Sequence, residues 1–100
     1  VSMLLVTYPK SDGARFDADY YTAEHLRLVR EGWTPHGLTD VHALFPSGAG
    51  DTGFTAIAVI KFGDNDSLQA ALASPATPGI MADVPNFTDI EPSMHFMKRG

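Results

Sequence analysis

Phe16 to Val29, FDADYYTAEHLRLV, reads as an amphipathic helix with one histidine set into its apolar side. Asp17 is a good N-cap, Asp19 adds negative charge to the first turn, and Arg27 and Arg30 lie toward the C-terminus, where cations suit the helix dipole. Gly32 stands where a left-handed terminating residue is wanted, and Pro35 prevents the helix from resuming. These signals predict a helix over Ala18 to Glu31, closed by Trp33 folding back onto Leu28. Steps of about 100° put Ala18, Tyr21, His25, Leu28, Val29 and Gly32 on one side, with Leu26 at its edge. Tyr20, Glu24, Arg27 and Glu31 fall on the opposite, wet side, where Arg27 can pair with Glu24 and Glu31.

Outward from this helix the pattern changes period. Val1 to Tyr8 is a strand ending at Pro9, and Ser11 to Gly13 turns the chain toward the helix. Gly37 to Phe45 is a second strand, Pro46 to Gly53 a turn, and Phe54 to Phe62 (FTAIAVIKF) a third strand that closes a hairpin with the second. Asp64 or Asp66 caps a short helix through Leu68, Ala71 and Leu72 that ends near Ser74 and Pro75. Pro75 to Phe87 contains enough apolar residues to form a short helical turn packed on the body. Asp89 to Met97 is the last strand, at an edge or bulged because Pro92 cannot donate to a ladder, and the chain closes on a short tail.

The order βαββαβ predicts an α+β, ferredoxin-like sandwich with an antiparallel sheet in one domain spanning residues 1–100. An antiparallel strand with one wet face alternates apolar and polar. Here Phe54, Ala56, Ala58, Ile60 and Phe62 occupy one face of the third strand while Ile57 and Val59 occupy the other. Met3 and Leu5, opposed by Leu4 and Val6, repeat the feature in the first strand. The helices cover one face only, so a second sheet from a homodimer is the economical cover for the other.

Composition narrows the function classes. Twelve acidic residues against seven basic ones, with no basic run, argue against nucleic acid and anionic membranes as partners. With no cysteine, disulfides, thiolate metal sites and thiol nucleophiles are excluded. No histidine pair has ligand spacing on a helix and no glycine-rich turn joins a strand to a helix, so neither a metal nor a phosphate-bearing cofactor is expected. The N-terminal apolar run is too short for a signal peptide or a membrane span, and a cytoplasmic protein is expected.

Three pieces carry a family resemblance: the helix just quoted, Trp33-Thr34-Pro35 with Gly37-Leu38, and Ala82 to Pro92 (ADVPNFTDIEP). Together they resemble the EthD family over nearly the whole chain. One departure is Arg27, where the family usually has proline two residues after the helix histidine. The resemblance implies a dimeric α+β barrel with two sheets face to face, and a site between each subunit's sheet and its helices. The superfamily includes cofactor-free monooxygenases, isomerases, polyketide cyclases and haem-binding members. The family takes its name from an association with ethyl tert-butyl ether degradation.

His25 is the candidate catalytic residue, as a base or acid that titrates near neutral pH; its structural alternative is a neutral core histidine bonded to a carbonyl or to Tyr21. Burial depresses its pKa unless Asp83 or Asp89 lies close enough to reverse the effect. Tyr21, Leu28, Val29, Trp33, Asp83, Asn86 and Phe87 are candidate pocket-lining residues. Trp33 is either a wall or a helix-end plug, and Asp83 either orients His25 or caps a turn. Two functions follow. One is an enzyme without a bound cofactor, moving a proton on a small apolar aromatic, lactone or polyketide-like molecule. The other is a noncatalytic dimer that binds such a hydrophobic compound, or haem.

Overall fold

The computed structural model describes residues 2–48 and 53–98. The expected strand start at residue 1, the turn at 49–52 and the tail at 99–100 lie outside the described residues. Four strands, β1 (Ser2–Pro9), β2 (Leu38–Leu44), β3 (Phe54–Phe62) and β4 (Ser93–Lys98), form one sheet in the order β2-β3-β1-β4, every pair antiparallel. This is the ferredoxin-like arrangement expected from the element order, and β4 takes the predicted edge position. Pro92 stands just before β4 rather than within it, so the strand begins where every residue can donate.

The alternation of β3 is read directly in its burial. Ala56, Ala58, Ile60 and Phe62 are buried under the helices with Leu4, Val6 and Tyr8 of β1, while Ile57 and Val59 remain half-buried on the other face. Each large apolar side chain so covered contributes about 1.5–3 kcal/mol. The covering layer comprises α1 (Ala18–Tyr20), a π turn (Tyr21–His25), α2 (Leu26–Trp33) and a 3₁₀ turn (Thr34–His36), then α3 (Asn65–Leu72), α4 (Ala76–Ala82) and a second 3₁₀ turn (Val84–Asn86). Both predicted caps form: Asp17 accepts from the Tyr20 N–H at 3.0 Å and Asp64 from the Ser67 N–H at 2.7 Å.

The first helix departs from expectation in two ways. It continues past Glu31 to Trp33, and Gly32 is an ordinary helical residue. A Cβ there would stand 2.8 Å from the Ala76 Cβ and 3.3 Å from Ile80 Cδ1, so the glycine serves close packing of α2 on α4. The left-handed terminator is Gly37, at φ 99°. Trp33 is directed to α4, donating from Nε1 to Thr77 Oγ1 at 3.0 Å, with its ring beside Phe62.

The second departure is the π turn, in which the Leu26 N–H reaches back five residues to the Tyr21 carbonyl. The extra residue in that turn rotates everything after it. The inward stripe becomes Tyr21, His25, Leu26, Val29 and Trp33, and Leu28 moves to a half-buried flank.

Candidate active site

Burial of the helix histidine raises an immediate question of partners, since a buried polar ring needs them. His25 is 5% exposed, and its Nδ1 lies 2.9 Å from Asp83 Oδ2. The same carboxylate accepts two more hydrogen bonds at Oδ1, from the Tyr20 hydroxyl at 2.7 Å and from Asn86 Nδ2 at 2.9 Å. Asp83 therefore binds three donors drawn from two separate stretches of chain. Burial alone would raise its pKa. The bonds from Asn86, Tyr20 and His25 outweigh that effect and hold the carboxyl below its usual value, so it is ionised at neutral pH.

Burial also lowers the pKa of His25, and the nearby carboxylate only partly offsets this. The imidazole is accordingly neutral at pH 7. An ionised carboxylate has no proton to give, so Nδ1 carries the ring's one hydrogen and donates it to Asp83. Nε2 keeps its lone pair and has no hydrogen bond among the described residues. Tyr20 is pushed up by its bond to Asp83 and stays protonated as a donor.

The elements hold this group by local contacts. Asp83 ends α4, where its backbone carbonyl accepts from the Asn86 N–H at 2.9 Å, turning the chain so that the Asn86 amide returns to the carboxylate. The following segment is tied to the entry of the first helix. Arg15 donates to the carbonyls of Pro85 and Asn86 at 2.7 and 3.3 Å, Thr88 Oγ1 donates to the Arg15 carbonyl, and the Asp17 N–H donates to the Phe87 carbonyl at 2.7 Å. Phe87 packs its ring against His25 with centroids 4.7 Å apart, and Tyr21 stacks on His25 5.6 Å away and 17° from parallel, the Tyr21 and Phe87 rings themselves lying 5.0 Å apart.

A cavity opens beside this stack, between the sheet residues Val6, Tyr8, Ala58 and Ile60 and the helical residues Tyr21, His25, Leu26, Val29, Trp33 and Ile80. Met81, Val84, Pro92 and Met94 complete its walls, Met81 and Met94 being the partly exposed ones at its margin. The cavity is small, about 30 Å³, room for little more than a water molecule. A larger guest needs the two methionines to swing aside, which their unbranched side chains do readily.

Of the expected lining residues, Tyr21, Val29 and Trp33 border the cavity with His25. Leu28, Asp83, Asn86 and Phe87 do not. The π turn carries Leu28 off the inward stripe, and Asp83, Asn86 and Phe87 stand behind His25 instead of beside the cavity. Tyr20, assigned to the wet side by a uniform 100° step, is brought round by the same turn to reach Asp83. Nothing in the periodicity marks it. Glu24 points away, as expected, pairing with Arg27, which also binds Glu31. No cluster of metal-ligating residues occurs among the described residues, and no helix there is long and apolar enough to cross a membrane.

This geometry defines a ferredoxin-like α+β protein with a polar cluster between its helices and a cavity over its sheet. The EthD domain model matches residues 13–91, and the chain is a member of the EthD family. An EthD-like protein from Ralstonia eutropha JMP134 superposes with a TM-score of 0.84 at 24% identity, covering 97% of this chain and 89% of that one. A dimeric ferredoxin-like protein of unknown function from Jannaschia sp. CCS1 gives 0.70 at 14% identity, with 98% of each chain covered. An antibiotic biosynthesis monooxygenase gives 0.55 at 10% identity, covering 100% and 99%. No curated protein matches the sequence.

Proposed function

We propose that this protein is a homodimeric enzyme, working without a bound cofactor, in which His25 removes a proton from a small, largely apolar carbon acid. The observation that carries this reading is the bond from His25 Nδ1 to the ionised Asp83 at 2.9 Å, which leaves Nε2 as an unpartnered base on a ring that borders the cavity. Asp83 orients the imidazole and stabilises the imidazolium that proton abstraction creates. Tyr20 and Asn86 fix the carboxylate in turn. The walls set the substrate class, a flat or compact apolar molecule such as a small ketone or lactone.

The homodimer rests on the second face of the sheet. Met3, Leu5, Ile57 and Val59 form an apolar field there that is only half-buried among the described residues, with Leu44 and Met97 at its edges 50% and 47% exposed. His42 and His95 flank it, opposite Val59 and Leu5 in the ladder. A second copy's equivalent face is the natural cover.

The test is hydrogen exchange at carbon. Cyclopentanone in D₂O, followed by proton NMR, should lose its α-hydrogens faster with protein present. His25→Asn, which keeps shape and polarity but not titration, should slow the protein-dependent rate about a hundredfold or more while keeping fold and dimer. Saturable binding with no exchange above background would instead make the protein a carrier of hydrophobic compounds.

A further inference from the structure

Tyr21 poses a problem that the proton-transfer reading leaves unsolved. The residue is 0% exposed, and its hydroxyl is the buried side-chain polar atom that finds no protein partner among the described residues. A buried donor without an acceptor is destabilising, and native structures contain few. A phenylalanine would fill the same space and keep the contacts with Tyr8, Phe16, His25 and Phe87. The oxygen therefore calls for an explanation that packing does not supply. Tyr8 borders the same cavity, and its hydroxyl lies close enough to that of Tyr21 for a phenol-to-phenol interaction that raises the pKa of Tyr21 and partly offsets the effect of burial on Tyr8. The pair does not reach the distance and angles of a formed hydrogen bond. Both phenols are pushed up by burial, so both remain donors at any physiological pH.

We infer that the Tyr21 hydroxyl is the hydrogen-bond donor for an acceptor oxygen on the ligand, which makes the ligand a carbonyl compound or its enol. The chemistry rests on the reading of His25 as base. As Nε2 takes the proton from the carbon next to the carbonyl, the electron pair of the broken C–H bond becomes the C–C double bond and negative charge moves onto the carbonyl oxygen. A phenol already buried beside the histidine then stabilises that charge without reorganisation. The same bond selects among ligands, because a molecule without an acceptor leaves the hydroxyl as unpartnered as it is in the free protein.

The experiment uses two molecules of nearly one shape, cyclopentanone and methylenecyclopentane, the second lacking the acceptor. Binding is read from the methyl shifts of Val6, Val29, Ile60 and Ile80 in carbon-correlated NMR titrations of the full chain. The ratio of the two affinities should fall about tenfold from wild type to Tyr21→Phe, the loss of one buried hydrogen bond, with methylenecyclopentane binding unchanged. In His25→Asn the ratio should hold. Because the variant loses only an unpartnered hydroxyl, Tyr21→Phe should also melt no lower than wild type. A ratio that survives Tyr21→Phe, a lower melting temperature in that variant, or no saturable shift of these methyls with either molecule overturns the inference. A ratio that falls as expected while His25→Asn exchanges α-hydrogens at the wild-type rate keeps the Tyr21 donor and removes the His25 base.

Discussion

The two faces of the sheet carry nearly the same amount of apolar sequence and meet opposite fates. On the helix side, Leu4, Val6, Ala58 and Ile60 are sealed by the chain itself, and the seal contains a buried polar cluster satisfied by three donors on one carboxylate. On the other side, Met3, Leu5, Ile57 and Val59 are no less apolar, yet they stay only half-buried. The difference teaches that period-2 alternation measures what a face needs and not what covers it. A face with a covering layer can hold charge and chemistry, because the layer supplies partners for them. A bare apolar face can only wait for another surface.

The comparison breaks most sharply on the bare face. Val59→Asp should weaken the proposed dimer about a thousandfold or more, roughly 4 kcal/mol, because a charge would be buried without a partner, and sedimentation equilibrium reads this directly. A dimer of wild-type affinity would mean that this face is not the interface. On the covered face the largest effect belongs to Asp83→Ala, which leaves His25, Tyr20 and Asn86 without their common acceptor. Urea unfolding should show a loss of about 2–4 kcal/mol, with the dimer intact when corrected for folded protein.

Gly32→Ala sharpens the same side. Its new methyl would press on Ala76, costing about 1–2 kcal/mol after the gain in helix propensity, and Ala76→Gly in the same chain should restore most of the loss. A simple gain in stability would mean that α2 and α4 are not in close contact.

The smallest effect is that of pH. His25 has its pKa lowered from 6.5 by burial, so the unfolded chain binds the extra proton first, and stability falls as pH drops below about 6.5 toward the folded value. Asp83, also held low, contributes stability above the unfolded value of 3.8 that is lost as pH falls through its folded value. Acid therefore weakens the covered face twice over. Melting temperatures from pH 7 to pH 5 should decline in wild type and decline less in His25→Asn.

The sequence by itself determined the element order, the Asp17 cap, a second cap at Asp64 or Asp66 and the apolar character of both sheet faces, because these depend on residues a few positions apart. Caps bind the N–H three residues on, and alternation repeats every two. From the order and the faces, the ferredoxin-like sheet with β4 at its edge followed. It also singled out His25 and named Asp83 as a carboxylate able to orient it, while leaving that role beside the alternative of a capped turn. What only the tertiary structure decided was everything that depends on rotation or on distance along the chain. One extra residue in the turn at Tyr21–His25 brought Tyr20 to the site and took Leu28 from it, and a uniform helical period contains no trace of such a step. Asp83 meets His25 across 58 residues because α4 packs on α2 through Gly32, a contact set by the shapes of two surfaces. The unpartnered hydroxyl of Tyr21 is likewise invisible in a string of letters, since whether a buried donor finds an acceptor is settled only when every neighbouring atom has a place.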